Sequence, residues 1–187
     1  LRGAVDAMAE WHTARLSRSF QDSSDCVVLV LKKGKAKLNV RLCVARESGR
    51  LSILDELPKV SDSSFQFSQF LKSHFEGGRL VSVKADDNDR VVYFRFTNLG
   101  KERSLVFQLL GARSNIFALN ENDIVELSLR PLSETRKTLK QGSIWSPASG
   151  KPVDSTSNRF GGHSDLAYLA AVEAHYTALE EESYASE

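Results

Sequence analysis

The sequence predicts an α+β domain, mostly an antiparallel β-meander or sandwich with packed helices and a C-terminal helix. Short apolar runs recur along the chain, close turn signals separate them, and the apolar spacing becomes helical in only a few places. Such short links favour antiparallel pairing, because a parallel connection needs a crossover of a dozen or more residues. With 187 residues, 41% of them hydrophobic, the chain can bury the core of one domain.

The first third of the chain predicts a helix followed by strands. Residues 3–13 carry apolar side chains at roughly helical spacing. Residues 26–32 form a continuous apolar run rich in β-branched residues, which is typical of a strand buried on both faces. After a turn at residues 33–35, residues 38–44 alternate apolar and polar, the period of a half-buried strand. These two runs predict a hairpin, and residues 51–53 predict a short third strand.

The middle of the chain predicts a second helix and then a meander. Ser61 to Ser64 is a cluster of helix-capping residues, and Gly77-Gly78 ends the helix that follows. The face of this helix that we expect to pack on the sheet carries Phe67, Phe70, Leu71, His74 and Phe75. Strands are then predicted at residues 80–83, 91–96, 105–110, 116–119 and 124–129.

Three segments organise the chain: a domain over residues 1–152, a linker over residues 153–163 and a C-terminal helix over residues 164–187. Residues 131–163 have no apolar period and read as a loop. The final helix carries only a narrow apolar stripe, which is typical of a coiled-coil seam. We therefore expect this helix to extend from the domain, to pack poorly on it, and to offer a route to self-association.

Charge and hydropathy bound the function and the location. The formal net charge is only +1, so nucleic-acid binding would need a local basic patch. No apolar run approaches the ~20 residues of a membrane span. The N-terminal stretch also lacks the pattern of a signal peptide. These features predict a cytoplasmic protein without a membrane partner.

Cys26 and Cys43 both lie within predicted strands. Two buried thiols are the preferred interpretation, and a disulfide remains open if the strands are neighbours.

Catalytic chemistry has no support in the sequence. Nucleophile elbows, phosphate-binding loops, zinc-ligand pairs and dinucleotide fingerprints are all missing from it. The four histidines are isolated from one another and from both cysteines, which argues against a metal site. We therefore predict no catalytic residue, no metal and no cofactor, and His74 is most simply a structural histidine.

One local basic patch is predicted at the tip of the first hairpin. It comprises Lys32, Lys33, Lys35 and Lys37, with Arg41 on the returning strand. The tip could contact phosphates in a salt-dependent way. It could equally be a solvated turn whose lysines protect a sheet edge.

Several short motifs follow one another in a fixed order over about residues 12–152. They are a phenylalanine helix with a His-x-Glu-Gly-Gly end, an Asp-Arg pair, a Gly-x-x-Ser-Asn turn and a Gly-x-x-Trp-x-Pro stretch. Their residues are Phe67, His74, Glu76, Gly77, Gly78, Asp89, Arg90, Gly111, Ser114, Asn115, Gly142, Trp145 and Pro147. In combination they resemble the N-terminal domain of the NFACT family, first described as fibronectin-binding proteins.

This resemblance implies both a fold and a role. The implied fold is similar to the N-terminal domain of formamidopyrimidine-DNA glycosylases. The implied role is ribosome-associated quality control, in which the domain binds tRNA on a stalled large ribosomal subunit and supports template-free C-terminal tailing. The Asp-Arg pair is implicated in tRNA recognition. We accordingly predict an RNA-binding set of Asp89, Arg90, Lys33, Lys35 and Arg79 in a domain that is no enzyme itself.

Two alternatives remain open at this point. The first is an adhesin-like domain that binds fibronectin. The second is glycosylase chemistry, which is unsupported because that class begins with Pro-Glu whereas this chain begins with Leu1-Arg2. The family's helix-hairpin-helix module, long coiled coil and C-terminal RNA-binding domain do not occur within these 187 residues.

Overall fold

The computed structural model describes residues 1–59, 65–86, 90–147 and 172–179. Its main element is a nine-stranded antiparallel sheet in the order β4-β3-β2-β1-β5-β6-β7-β8-β9. The strands are β1 (Arg15–Ser23), β2 (Cys26–Lys33), β3 (Ala36–Cys43), β4 (Arg50–Leu54), β5 (Arg79–Asp86), β6 (Val91–Asn98), β7 (Lys101–Gln108), β8 (Asn115–Leu119) and β9 (Val125–Ser128). The helices are α1 (Arg2–Ala7), α2 (Gln66–His74), α3 (Leu132–Thr135) and α4 (172–179). The predicted α+β class is confirmed, whereas the likeness to glycosylases stays a prediction.

The sheet consists of two meanders that overlap only at their junction. We call β1–β4 the first half and β5–β9 the second half. Within each half every strand pairs with the next along the chain, but β1 and β5 share only the pair Arg15 and Arg79. Because these residues begin their strands and the strands are antiparallel, β1 and β5 run away from each other. The two halves are therefore staggered at this junction.

The main hydrophobic core is formed by the inner faces of both halves together with α1 and α2. Leu29 and Leu42 from the first half and Phe94 and Phe107 from the second are all inaccessible to solvent. The inward face predicted for residues 38–44 is confirmed, because Leu38, Val40, Leu42 and Val44 all belong to this core. The strand is more than half-buried, however, since Asn39 and Cys43 on its other face are buried as well. β2 is buried on both faces, as predicted: its other face contributes Val28 and Val30 to a small outer cluster with Phe20.

The strand β1 is absent from the sequence-based prediction. Its apolar pattern is hidden by register shifts between Leu16 and Arg18 and between Gln21 and Ser23, which place Leu16 in the core and Phe20 in the outer cluster. Polar side chains are buried here as well, and Ser19 is wholly inaccessible. A strand that buries polar groups depends on partners far along the chain, so no local period reveals it.

Helix α2 packs on the sheet largely as predicted. Phe67, Leu71 and Phe75 are buried, and Phe70 is half-buried against the core with its ring stacked on His74 at 4.1 Å. The helix begins later than predicted, with Phe65 at the N-cap, and the Phe65 side chain makes no capping hydrogen bond. The predicted capping cluster at residues 61–64 lies outside the described residues.

Cys26 and Cys43 face each other on β2 and β3. The register pairs the two residues directly, their Cα atoms are 4.2 Å apart, and their sulfurs are bonded. Their burial is confirmed, but the preferred prediction of two free thiols is wrong because the strands are neighbours in register.

The segment predicted as a loop after β9 packs closely on the outer face of the second half. Trp145 stacks on Phe117 with ring centroids 4.6 Å apart, and it forms a second small core with Leu139 and Val125. Gly142 adopts φ +86°, and its amide donates to the carbonyl oxygen of Val125. The Gly-x-x-Trp-x-Pro stretch is thus part of a packed layer.

Helix α4 contradicts the predicted extended helix. Val172 is buried, Glu173 pairs with Arg50 at 3.0 Å, and the Arg50 guanidinium lies over the Tyr176 ring at 5.4 Å. Over residues 172–179, therefore, the chain docks on β3 and β4 of its own sheet. The predicted boundaries at residues 152 and 164 lie outside the described residues. Among the described helices, none is long and apolar enough to cross a bilayer.

Candidate nucleic-acid interface

The His-x-Glu-Gly-Gly motif joins the two halves of the sheet. Glu76 accepts hydrogen bonds at Oε1 from the backbone amide of Ser19, at 2.7 Å, and from its hydroxyl, at 3.1 Å. Gly77 and Gly78 exchange backbone hydrogen bonds with Leu16 on both sides. A Cβ on Gly78 would lie 3.0 Å and 3.1 Å from two backbone oxygens, so this close approach favours glycine.

His74 has a structural position, in line with the simplest interpretation of its sequence context. Its ring nitrogen Nδ1 lies 3.1 Å from the carbonyl oxygen of Phe70, one turn earlier in α2. Asn98 of β6 donates to the carbonyl oxygens of His74 and Glu76 at the end of the helix. The motif therefore fixes α2 to the sheet rather than presenting a reactive group.

The Gly-x-x-Ser-Asn turn connects β7 and β8, as predicted. Gly111 adopts φ +58°, and the hydroxyl of Ser114 accepts the amide hydrogen of Leu110 at 2.8 Å. Asn115 is fully buried, and its side chain is bonded to the amide and carbonyl of Arg130 and to the hydroxyl of Thr135. These contacts fix the turn against the chain that leads into α3.

A row of four cations crosses the junction of the two halves. The register places them directly opposite one another on four adjacent strands, so they share one face of the sheet. We call them the cationic row: Lys37 on β3, Lys32 on β2, Arg15 on β1 and Arg79 on β5. All four are exposed. At the usual strand spacing the row spans about 14 Å.

The cationic row lacks neutralising carboxylates within the described residues. Arg79 donates to the carbonyl oxygen of Thr13 at 3.2 Å, which leaves its charge unpaired. Neither Arg15, Lys32 nor Lys37 has an ion pair in the described part of the chain. Like charges directly opposite each other destabilise a sheet, so the row is unfavourable for folding in the absence of an anionic partner.

Lys33 and Lys35, the two hairpin lysines of the predicted RNA-binding set, have different surroundings. Lys33 donates from Nζ to the carbonyl oxygen of Glu10 at 2.6 Å, so it connects the hairpin to the short 3-10 helix that follows α1. Lys35 is exposed at the tip, beside Gly34 at φ +60°. The residues that line up with the predicted Arg79 are instead Lys32 and Lys37, through Arg15. The missed strand β1 is the reason that Arg15 was not predicted as a site residue.

Arg90 lies away from the cationic row. It immediately precedes β6 at the far end of β5, about 23 Å from Arg79 at the usual rise per residue. Arg90 is exposed with φ +50°, and its carbonyl oxygen accepts the amide hydrogen of Leu109 just before the Gly111 turn. Asp89 lies outside the described residues. The five predicted RNA-contacting residues therefore do not form one cluster.

A basic cleft opens near the Gly111 turn. Its volume is about 580 Å³, and its lining includes the cations Arg113, Arg136 and Lys137 with the single carboxylate Glu134. Arg136 lies over the Trp145 ring at 5.1 Å, which holds its guanidinium at the rim. The cleft includes Arg113 of the Gly111 turn, and the backbone of Arg90 is bonded to Leu109, two residues before that turn. In the described part of the chain, no group of three or more His, Cys, Asp or Glu residues is placed to hold a metal ion.

Charge is segregated along the chain in a way that the net value conceals. Residues 164–187 hold six carboxylates and no lysine or arginine. The preceding residues therefore hold all 25 basic residues and 18 of the 24 acidic ones, a formal charge of +7 against −6 for the C-terminal segment. This asymmetry can be read from the sequence, and it is the signal that would have indicated a basic domain.

Solved structures of fibronectin-binding and fibrinogen-binding proteins share this fold. The N-terminal domain of fibronectin-binding protein PavA from Streptococcus pneumoniae aligns with a TM-score of 0.71 at 15% identity, over 97% of this chain and 78% of that one. The fibrinogen-binding protein from Staphylococcus aureus aligns with a TM-score of 0.67 at 20% identity, over 79% of this chain. The alignment spans only 54% of the Staphylococcus aureus chain.

A third structure, the N-terminal part of the fibronectin/fibrinogen-binding protein from Streptococcus suis, gives a TM-score of 0.68 at 17% identity, over 76% of this chain and 58% of that one. At such identities the likeness establishes the fold alone. No curated protein matches the sequence significantly. The family model for the NFACT N-terminal and middle domains, however, matches residues 1–159, so the chain belongs to the NFACT family.

Proposed function

We propose that this domain is an RNA-binding module of ribosome-associated quality control. In this role it binds tRNA on a stalled large ribosomal subunit in the cytoplasm and supports template-free C-terminal tailing. The observation that carries RNA binding is the cationic row, Lys37, Lys32, Arg15 and Arg79, on one sheet face. Family membership supports the choice of tRNA and ribosome, because the better-understood NFACT proteins act there.

The cationic row suits the phosphate backbone of RNA. A nucleic acid supplies a line of anions, and neutralising them releases counterions, which makes binding strong at low salt. The same contacts relieve the repulsion between the opposed cations. Backbone contacts position an RNA without reading its sequence. The row would therefore set where tRNA lies on the domain.

Selection among tRNAs needs a separate contact, and Arg90 is suited to it. An arginine can form two parallel hydrogen bonds to a phosphate or a base edge. Arg90 is exposed at the far end of the second half, beyond the backbone-contacting row. The domain makes no bond in this proposal: it holds the tRNA, and the ribosome performs the chemistry.

The test of backbone binding is a charge-removal pair with a matched control. Lys32→Ala with Lys37→Ala removes half of the row, and Lys59→Ala with Lys72→Ala removes two exposed lysines elsewhere. Each pair is titrated with several tRNAs at four salt concentrations. The row variant should bind every tRNA more weakly, and its log–log salt slope should fall by about 2. The control should keep the wild-type slope.

Arg90 is tested with the same tRNAs. Arg90→Ala should change the order of preference among them, whereas Arg90→Lys keeps the charge and loses the paired hydrogen bonds. Equal affinities and equal slopes for the wild type, the row variant and the lysine control would contradict RNA binding at this face.

Binding of fibronectin is the second candidate function, because the structural neighbours carry that name. The same row variant separates the two. A fibronectin-binding domain would bind immobilised fibronectin at physiological salt, and added tRNA would not increase its affinity for fibronectin. Competition between tRNA and fibronectin for the row would place both on one surface.

A further inference from the structure

A buried anion site lies on the outer face of the first half, and the chain fills it with its own glutamate. Glu173 of α4 accepts hydrogen bonds from Nε of Arg50 at 3.0 Å and from Nη1 of Arg41 at 3.2 Å. The hydroxyl of Ser52 donates to Oε2 of the same carboxylate, the oxygen that also accepts from Nε of Arg50. Two guanidinium groups and a hydroxyl converging on one anion are also a suitable set for a phosphate.

The sheet alone holds this site in place. Arg50 is 2% exposed, and its Nη1 donates to the carbonyl oxygen of Ser48 at 2.9 Å. Arg41 is paired through Nη2 with Asp22 at 3.0 Å. Ser52 lies directly opposite Arg41 in the register of β3 and β4. None of these supporting contacts involves α4, although Arg50 also lies over the Tyr176 ring, so we expect the site to stay assembled when the helix leaves.

Helix α4 is held mainly by charge. Among residues 172–179 only Val172 is buried, and Leu179 is 44% exposed. Burial by itself raises the pKa of the Glu173 carboxyl, but the hydrogen bonds from Arg50 and Ser52 and the charges of both arginines outweigh it, so its pKa lies below the ordinary value. The contact is therefore an ion-pair latch with a small apolar component.

The latch and the cationic row share one sheet face. Along β3 the residues Lys37, Asn39 and Arg41 alternate with core residues and so point to the same side. The distance from Lys37 to Arg41 is about 13 Å along the strand. A ligand with regularly spaced phosphates that contacts the row can extend to Arg41 only if Glu173 is absent.

We propose that Arg41, Arg50 and Ser52 form a phosphate site for tRNA that continues the cationic row, and that Glu173 of the acidic C-terminal segment occupies it as an internal competitor. The inference rests on the proposed RNA-binding function. The domain then exists in two forms: a latched form with a shorter RNA footprint, and an open form in which the RNA displaces α4. The charges of +7 and −6 give the segment and the domain the complementarity that this exchange needs.

The experiment compares Glu173→Gln with Glu121→Gln in the full chain. Both substitutions remove one negative charge, and Glu121 is exposed in the turn between β8 and β9, away from the latch. Glu173→Gln should tighten tRNA binding by about tenfold, as expected for one added contact to a charged group, and steepen the salt slope by about 1. Adding Arg41→Gln to Glu173→Gln should abolish the gain.

Amide hydrogen exchange of residues 172–179 reports the latch directly. Exchange should accelerate when tRNA is added to the wild type, and it should already be fast in Glu173→Gln without RNA. Unchanged protection of 172–179 in either case overturns the inference. If Glu173→Gln and Glu121→Gln have equal tRNA affinities while the row variant binds tRNA more weakly, the phosphate-site inference is overturned and the proposed RNA-binding function is not. A row variant with wild-type affinity overturns the proposed function instead.

Discussion

At the scale of single residues, the side chains of the family motifs mainly stabilise the fold and do not form an exposed binding surface. Glu76 and Asn115 each satisfy buried backbone groups of a distant strand or turn. A buried donor that loses its acceptor costs more than the net value of the hydrogen bond. These residues should therefore respond to substitution through stability, in contrast to the exposed cations of the row.

Glu76→Ala should lower the free energy of unfolding by about 1–3 kcal/mol, because the buried amide and hydroxyl of Ser19 lose their acceptor. Glu76→Gln keeps a side-chain oxygen in place and should cost less. Urea unfolding of the two variants checks this, with tRNA affinity of the folded protein as the second readout. Equal stability of Glu76→Ala and the wild type would contradict the role as a joint.

Glu173 gives the latch a defined dependence on pH. Because its folded pKa lies below its ordinary value of 4.5, the latch contributes stability above that pH and loses it as the pH falls through the folded pKa. The charged groups facing Glu173 are Arg41, Arg50 and Asp22, and burial raises the pKa of Asp22 despite the charge of Arg41.

We expect the amide resonances of residues 172–179 to shift towards those of a released segment only below about pH 4.5. An NMR titration from pH 7 to pH 3 measures this, and Glu173→Gln is the control that should show released shifts throughout. A transition centred above pH 5 would contradict the direction of the Glu173 shift.

At the scale of elements, β1 and α2 depend on each other. Gln21 of β1 accepts the amide hydrogen of Ser68 in the first turn of α2 at 3.1 Å, and so serves as a helix cap that Phe65 at the N-cap position does not supply. The helix in turn supplies Glu76 to β1. The junction of the two halves is thus built from these two elements, and the cationic row lies on it.

Phe75→Ala should destabilise the domain by about 3–5 kcal/mol, because its ring is fully buried and meets Phe96 edge-on at 5.9 Å. Phe70→Ala should cost less, since Phe70 is only half-buried and stacks on His74 at the surface. Urea unfolding of both variants orders the two costs. The reverse order would show that the helix packs through a different face.

At the scale of the whole molecule, the separation of basic and acidic residues along the chain connects RNA binding with self-association. The C-terminal stripe predicted to pair with a second copy faces the chain's own sheet at Val172 and Tyr176. Self-association through this segment stays a prediction. The contacts imply that it requires release of α4.

Light scattering over a range of concentrations tests this requirement. We expect Glu173→Gln to form dimers at concentrations where the wild type is monomeric, with Glu121→Gln as the charge-matched control. A monomer for all three proteins, also at high salt where ion pairs are screened, would remove the pairing hypothesis.

The sequence by itself determined the fold class, the β2–β3 hairpin, the aromatic face of α2 and the Gly111 turn, because each is encoded by a local period or by turn chemistry. Family membership was also readable, since the motifs hold the joints of the fold. Only the tertiary structure decided four other features. They are the strand β1, the alignment of Arg15 with Lys32, Lys37 and Arg79, the pairing of the cysteines and the docking of α4. Each depends on strand register or on an ion pair between residues far apart in the chain, for example Arg50 and Glu173, and such contacts leave no periodic signal in either partner's local sequence.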